Sequence, residues 1–240
     1  MDLANIWDLE SRNHEYDLDN DAEFNKVFWN ITLLCEKLEI SYDELYKMQK
    51  QINDIQLKWN VIKSITFSDL DDTLFSRLPQ LEMDIFAKNR WKAWNLVIDS
   101  MWINNFFARF YKPEMLVDDV AKKTDVILTA WEIHIQEWKI QSIWLYDKET
   151  IIVPKHSLKP KTMLYYLLYD LEVIPEEIIF NDDRVRELSE SFKLMSYFLW
   201  NKIKLKEVEL DENHPNIVKN TNTIAYNKWN QYFNLWDLNL

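Results

Sequence analysis

The sequence predicts an α/β fold, a Rossmann-like three-layer α/β/α arrangement around a parallel sheet. Three observations predict it. Short apolar, β-branched runs alternate with segments whose apolar residues recur at helical spacing, the pattern of βα units. The first such run, residues 61–68, feeds straight into a carboxylate cluster, Asp69-Leu70-Asp71-Asp72-Thr73. Other polar groups, Thr129 and the adjacent Asp182 and Asp183, follow other apolar runs. Open parallel sheets bind their ligands at such strand ends.

The elements follow in order. Residues 1–22 are acidic and weakly patterned, a loosely ordered lead-in. Phe24, Val27, Phe28, Ile31, Leu34, Cys35 and Leu38 recur at helical spacing. Ser41 with Glu44 three residues later is a capping box that opens a second helix over 42–57. Residues 1–60 thus form an N-terminal helical extension, and 61–210 the core. Strand 61–68 is followed by a turn at 75–79 and about fifty residues of helical pattern, so 75–124 is a candidate small helical cap. Pro113 opens a helix through Lys122. Residues 125–129 form the second strand and 132–143 a helix. Residues 150–153 form the third strand, followed by a helix over 162–171. The fourth strand, 177–180, ends in Asn181-Asp182-Asp183 and leads into a helix over 184–197. Alternation over 203–210 predicts an edge strand. Residues 211–240 are an Asn-rich tail of short helix and coil.

Composition narrows the function. A hydrophobic content of 48% suffices for a core. The net charge of −12 and the absence of a basic patch argue against a nucleic-acid partner, since Lys122-Lys123 and Lys202, Lys204 and Lys206 are short and interleaved. The single cysteine, Cys35, reads as a small core residue. There is no secretory pattern at the N-terminus and no apolar run of membrane-spanning length, so a cytoplasmic protein without membrane contact is expected.

One count is abnormal. The chain has 12 tryptophans and 0 glycines. At ordinary glycine usage, none in a chain this long has a chance probability on the order of 10⁻⁸. Trp131, Trp138 and Trp200 fall where turns or close packing favour glycine. Some bacterial lineages read UGA as glycine, whereas a common alternative table reads it as tryptophan. The sequence therefore predicts glycine at many of these positions in the living cell, and the tryptophans are not read as a ligand-binding surface.

Several carboxylates, a hydroxyl and a lysine suit a hard cation and a phosphate, because Mg²⁺ takes oxygen ligands and shares its shell with substrate phosphate. The four histidines are scattered, which argues against a histidine-based metal site. His134 and His156 read as surface residues or neighbours of the site.

These motifs resemble the haloacid dehalogenase (HAD) superfamily of phosphotransferases. Its first motif is a strand followed by Asp-x-Asp-x-Thr, matched by Asp69-Leu70-Asp71-Asp72-Thr73. Its second is a strand ending in a hydroxyl, matched by Val126-Ile127-Leu128-Thr129. Its third is a lysine before a helix, matched by Lys159, with Lys161 a close rival and Lys155 a weaker one. Its fourth is a strand ending in acids, matched by Ile178-Ile179-Phe180-Asn181-Asp182-Asp183. Order and spacing agree from about residue 61 to 190; residues 1–60 and 200–240 are not covered.

The resemblance implies a Mg²⁺-dependent phosphomonoester hydrolase with Asp69 as nucleophile and Asp71 as general acid and base. Thr129 and Lys159 or Lys161 would hold phosphoryl oxygens. Asp182, Asp183, the Asp69 carboxylate and the Asp71 carbonyl would hold the metal, with Glu187 a further candidate. It also implies a capless or small-cap form and a phosphorylated small molecule or phosphoprotein as substrate. The alternative is a weak or inactive HAD-fold binding protein that engages a partner through the helices of residues 23–57.

Overall fold

The computed structural model describes residues 31–75, 112–199, 201–211, 214 and 216–226. The expected lead-in, the start of the first helix, residues 76–111 of the candidate cap with Phe106, Phe107 and Phe110, Trp200, and the tail beyond 226 lie outside the described residues.

Six strands form one sheet: β1 (Val61–Ser68), β2 (Val126–Ala130), β3 (Glu149–Val153), β4 (Ile174–Asp182), β5 (Lys202–Leu210) and β6 (Val218–Tyr226). Their order is β3-β2-β1-β4-β5-β6. The first five run parallel and β6 runs antiparallel to β5. In this order the chain moves outward from β1 to β3, then crosses back to β4 on the other side of β1. The crevice above β1 and β4 is therefore the topological switch point, the ligand-binding place of doubly wound sheets.

The sheet separates two cores, as strand alternation requires. Ile65 and Phe67 of β1, and Val126 and Leu128 of β2, join one apolar cluster. It also holds Leu34, Cys35 and Leu38 of α1 (31–38) and Leu45, Met48, Ile52 and Ile55 of α2 (Tyr42–Leu57). Ile127, the intervening β2 residue, joins the other cluster with Leu70, Leu74, Ile135 and Ile140. Short α3 (Asp118–Ala121) and α4 (Ile133–Ser142) cover that second face. Helices α5 (Lys159–Tyr165) and α6 (Ser189–Leu199) pack on the first. The capping box is present: Glu44 N–H donates to Ser41 Oγ at 3.2 Å, and Ser41 N–H to Glu44 Oε2 at 2.7 Å.

Three expectations are corrected. Residues 203–210 are not an edge, because β6 pairs along β5 from Leu210↔Val218 to Ile203↔Tyr226. Part of the expected helix and coil of the tail is this sixth strand. The helix from Pro113 to Lys122 is two pieces, a 3₁₀ turn at Pro113–Met115 and α3. Between them Val117 N–H donates to Leu74 O at 2.8 Å, which ties the segment to the loop after β1 instead of continuing the helix.

Candidate active site

The loop after β1 is fixed by backbone before any side chain acts. Asp69 N–H donates to Asn181 O at 2.8 Å, extending the β1–β4 ladder by one residue. Leu74 N–H and Phe75 N–H both donate to Leu70 O. Leu70, Leu74 and Phe75 anchor this turn in the second core. Beneath it lies a buried polar triangle: Ser68 Oγ and Thr124 Oγ1 are 2.7 Å apart, and Asn181 Nδ2 donates to Ser68 Oγ at 2.9 Å. Asp125 acts like a strand partner, its Oδ2 accepting from Thr66 N–H at 2.8 Å while its own N–H donates to Thr66 O at 2.9 Å. The ends of β1 and β4 and the entry to β2 are thereby locked together.

On this frame Lys159 is the central cation. It sits at the first position of α5 with its side chain fully buried. Its Nζ lies 3.0 Å from Asp69 Oδ1 and 2.7 Å from Asp182 Oδ2. The other Asp182 oxygen, Oδ1, accepts from Arg184 N–H at 2.7 Å. Burial alone would lower the lysine's pKa, but the Asp69 and Asp182 carboxylates outweigh it and the group is raised.

Asp183 adds a third acid. One oxygen each of Asp69, Asp182 and Asp183 lie within 4.8 Å of one another. Among the described residues the three carboxylates face Lys159 and Arg184, whose Nε is 3.8 Å from Asp183 Oδ1, so the set is short of positive charge. Burial, then the Asp182 and Asp71 carboxylates, push Asp69 up to about 6 against the pull of Lys159. Burial with Asp182, Asp69 and Asp72 pushes Asp183 up to about 7. Oxygen-only donors with uncompensated negative charge fit a hard divalent cation such as Mg²⁺. Glu187 is exposed and lies outside this cluster.

Thr129, the residue before the last of β2, is buried, and its Oγ1 has no hydrogen-bond partner among the described residues. A buried hydroxyl without a partner costs free energy and is unusual in a folded chain.

Asp71 points elsewhere. Both its oxygens accept from Lys139 Nζ at 2.8 Å, and Oδ2 also accepts from Gln136 Nε2 at 3.2 Å. Lys139 is buried and lies 5.3 Å from the centre of the Trp131 ring.

The structure thus brings together Asp69, Asp182, Asp183 and Lys159, with Asp71 following in the same loop. It does not bring Lys161 there: its Nζ donates to Glu39 O at 2.8 Å on the outer side of α5. Lys155 pairs with Glu39 as well, at 2.8 Å. Two residues, Gln136 and Lys139, escaped the sequence reading. Gln136 and Lys139 are one helical turn apart on α4 and so share a face, but an amide and a lysine at that spacing are common on solvated helices. His156, expected at the surface or as a neighbour of the site, is mostly buried; neither ring nitrogen is hydrogen-bonded among the described residues, and Nδ1 lies 3.9 Å from Asp182 Oδ2. Burial, then Lys159, hold its pKa down.

No family model matches the chain, and no curated protein or solved structure matches it.

Proposed function

We propose that the protein is a HAD-type phosphatase that hydrolyses a phosphomonoester through an aspartyl-phosphate on Asp69. One observation carries the reading: the carboxylates that end β1 and β4 converge on a single buried lysine at the switch point of the sheet. The four residue groups matched to HAD motifs come from four separate stretches of chain.

In this mechanism an Asp69 oxygen attacks phosphorus as the P–O bond to the leaving group breaks. Asp71 must enter the step in its protonated form; it gives that proton to the departing oxygen, which leaves as an alcohol. A water then attacks the same phosphorus, gives a proton back to Asp71, and frees both phosphate and the Asp69 carboxylate. Thr129 Oγ1 donates to a phosphoryl oxygen, and Lys159 holds the Asp69 carboxylate in place and offsets charge. Asp69, Asp182 and Asp183 would hold Mg²⁺, which supplies charge neutralisation for the phosphoryl oxygens when bound. A phosphorylated small molecule or a phosphoprotein remains the proposed substrate class.

The alternative of a binding protein has less support. The apolar faces of α1 and α2 are occupied by the protein's own core.

The test is hydrolysis of a generic aryl phosphate with Mg²⁺. Turnover that disappears in Asp69→Asn and on chelation is expected. Unchanged turnover in Asp69→Asn would remove the assigned nucleophile.

A further inference from the structure

We propose that Lys139 and Gln136 are positioning residues for Asp71, a role that rests on the phosphatase reading. Asp71 lies in the turn after β1, and helix α4 supplies anchors for its side chain. Lys139 Nζ reaches both Asp71 oxygens at 2.8 Å, and Gln136 Nε2 reaches Oδ2 at 3.2 Å while donating also to Ala130 O at 2.8 Å. Ala130 directly follows Thr129, so one amide joins the acid–base loop to the strand that carries the phosphate-binding hydroxyl. Both α4 residues are buried. A buried lysine is kept where it is paired, and here its partner is a loop carboxylate outside the pair that Lys159 holds. The pairing holds the Asp71 side chain against α4, and a group that transfers a proton must be held in a defined place.

The reaction to test is hydrolysis of a series of aryl and alkyl phosphates with Mg²⁺. Departing alkoxides need a proton and acidic phenols do not. Lys139→Met should therefore lower kcat at least ~10-fold more on alkyl than on acidic aryl phosphates, within the ~10²–10⁴-fold reach of a general acid, with KM little changed. In an Asp71→Asn background the same substitution should cost nothing further. An equal loss on every substrate, or an undiminished loss beside Asp71→Asn, overturns the positioning role while leaving the phosphatase reading intact. If Lys139→Met does not fold, Gln136→Leu is read by the same two criteria. A wild-type protein that hydrolyses no member of the series overturns both.

A second inference rests on the backbone alone. Six described residues have positive φ: Glu39, Asp72 and Glu172, and Trp59, Trp131 and Trp144 at 55°, 136° and 61°; glycine adopts such conformations freely and residues with a Cβ adopt them at a cost. Among the described residues there are four tryptophans, and only Trp138, inside α4, has ordinary helical geometry. Two of the three stand in the same motif. After α2, Trp59 N–H donates to Gln56 O and Asn60 N–H to Ile55 O; after α4, Trp144 N–H donates to Gln141 O and Leu145 N–H to Ile140 O. Each is a Schellman helix end with tryptophan at the left-handed position, where glycine is the usual residue. Their side chains are 89% and 69% exposed, so packing does not explain the choice. Together with the 0 glycines of the chain, we infer that the working protein carries glycine at 59, 131 and 144, the codon for each being read as glycine in the source cell. At 131, two residues after Thr129, this removes an indole from beside Lys139. Peptide mass spectrometry of the protein isolated from its own cells should find glycine at all three positions. Tryptophan at any one of them overturns the inference.

Discussion

Replacing Trp59 and Trp144 by glycine should stabilise the chain, and the magnitude follows from local geometry. A residue with a Cβ pays roughly 1–2 kcal/mol in the left-handed region. Glycine relieves this but gains freedom in the unfolded chain, which returns about 0.5–1 kcal/mol. The net is about 0.5–1 kcal/mol per site. Little burial is lost, because both side chains are largely exposed. The two positions end helices on opposite faces of the sheet, so their effects should add, giving roughly 1–2 kcal/mol. For a chain of this size about 2–4 °C in Tm accompanies each kcal/mol. Thermal and urea unfolding of Trp59→Gly with Trp144→Gly should show a rise of several degrees and a higher midpoint at constant m. The alanine pair is the control: it removes the same indoles yet keeps the Cβ. Alanine variants as stable as the glycine variants would refute the reasoning, because the gain would then come from losing exposed aromatic surface. Trp131 is left out of this measurement because its ring packs against the second core, and removing it trades strain against burial.

Two further perturbations test other parts of the molecule. Lys159→Met leaves the buried Asp69 and Asp182 carboxylates without their cation, and should cost about 3–5 kcal/mol in urea unfolding of the metal-free protein; a loss below ~1 kcal/mol would show that the lysine is not the hub of the site. Ser41→Ala removes the hydroxyl of the α2 capping box and should cost about 1 kcal/mol by the same measurement.

Much of the site was legible because its chemistry sits next in sequence to an apolar strand. Asp69 follows β1, Thr129 falls within β2, and Asp182 ends β4. A strand end is the one place where neighbours in sequence also share an edge in space. The choice between Lys159 and Lys161 was not legible, since two lysines bracket one proline at a helix start. It is decided by where α5 begins: at Lys159, three residues before the point the apolar spacing gave, which turns Lys159 inward and Lys161 outward. Lys139 was hidden because a polar residue on a helix looks solvated unless its carboxylate partner, here 68 residues away, is known. Strand β6 was hidden for the opposite reason. Residues 219–223 are exposed, so the strand is held by its ladder to β5 and leaves little apolar signature.

The charges of the site divide into two unequal groups. Asp71 pairs with Lys139. Asp69 and Asp182 share Lys159, and Asp183 lies beside them. This second group remains short of positive charge, which is why Asp69 and Asp183 are pushed up to about 6 and about 7. Both carboxyls hold their protons more tightly in the folded chain than in the unfolded one, whose aspartates titrate near ~3.9. Folded stability of the metal-free protein should therefore fall as pH rises from about 4 to about 7 and stay low above. Each tenfold gain in a carboxyl's proton affinity on folding corresponds to about 1.4 kcal/mol lost across that window. Lys159, raised rather than lowered, contributes equally throughout and cannot cancel the trend. A divalent cation and these protons answer the same deficit, so they must compete. Mg²⁺ should stabilise the protein strongly at about pH 8 and little at about pH 5, and Asp183→Asn should weaken both the pH trend and the Mg²⁺ effect. Equal stabilisation by Mg²⁺ at the two pH values would place the ion away from this cluster.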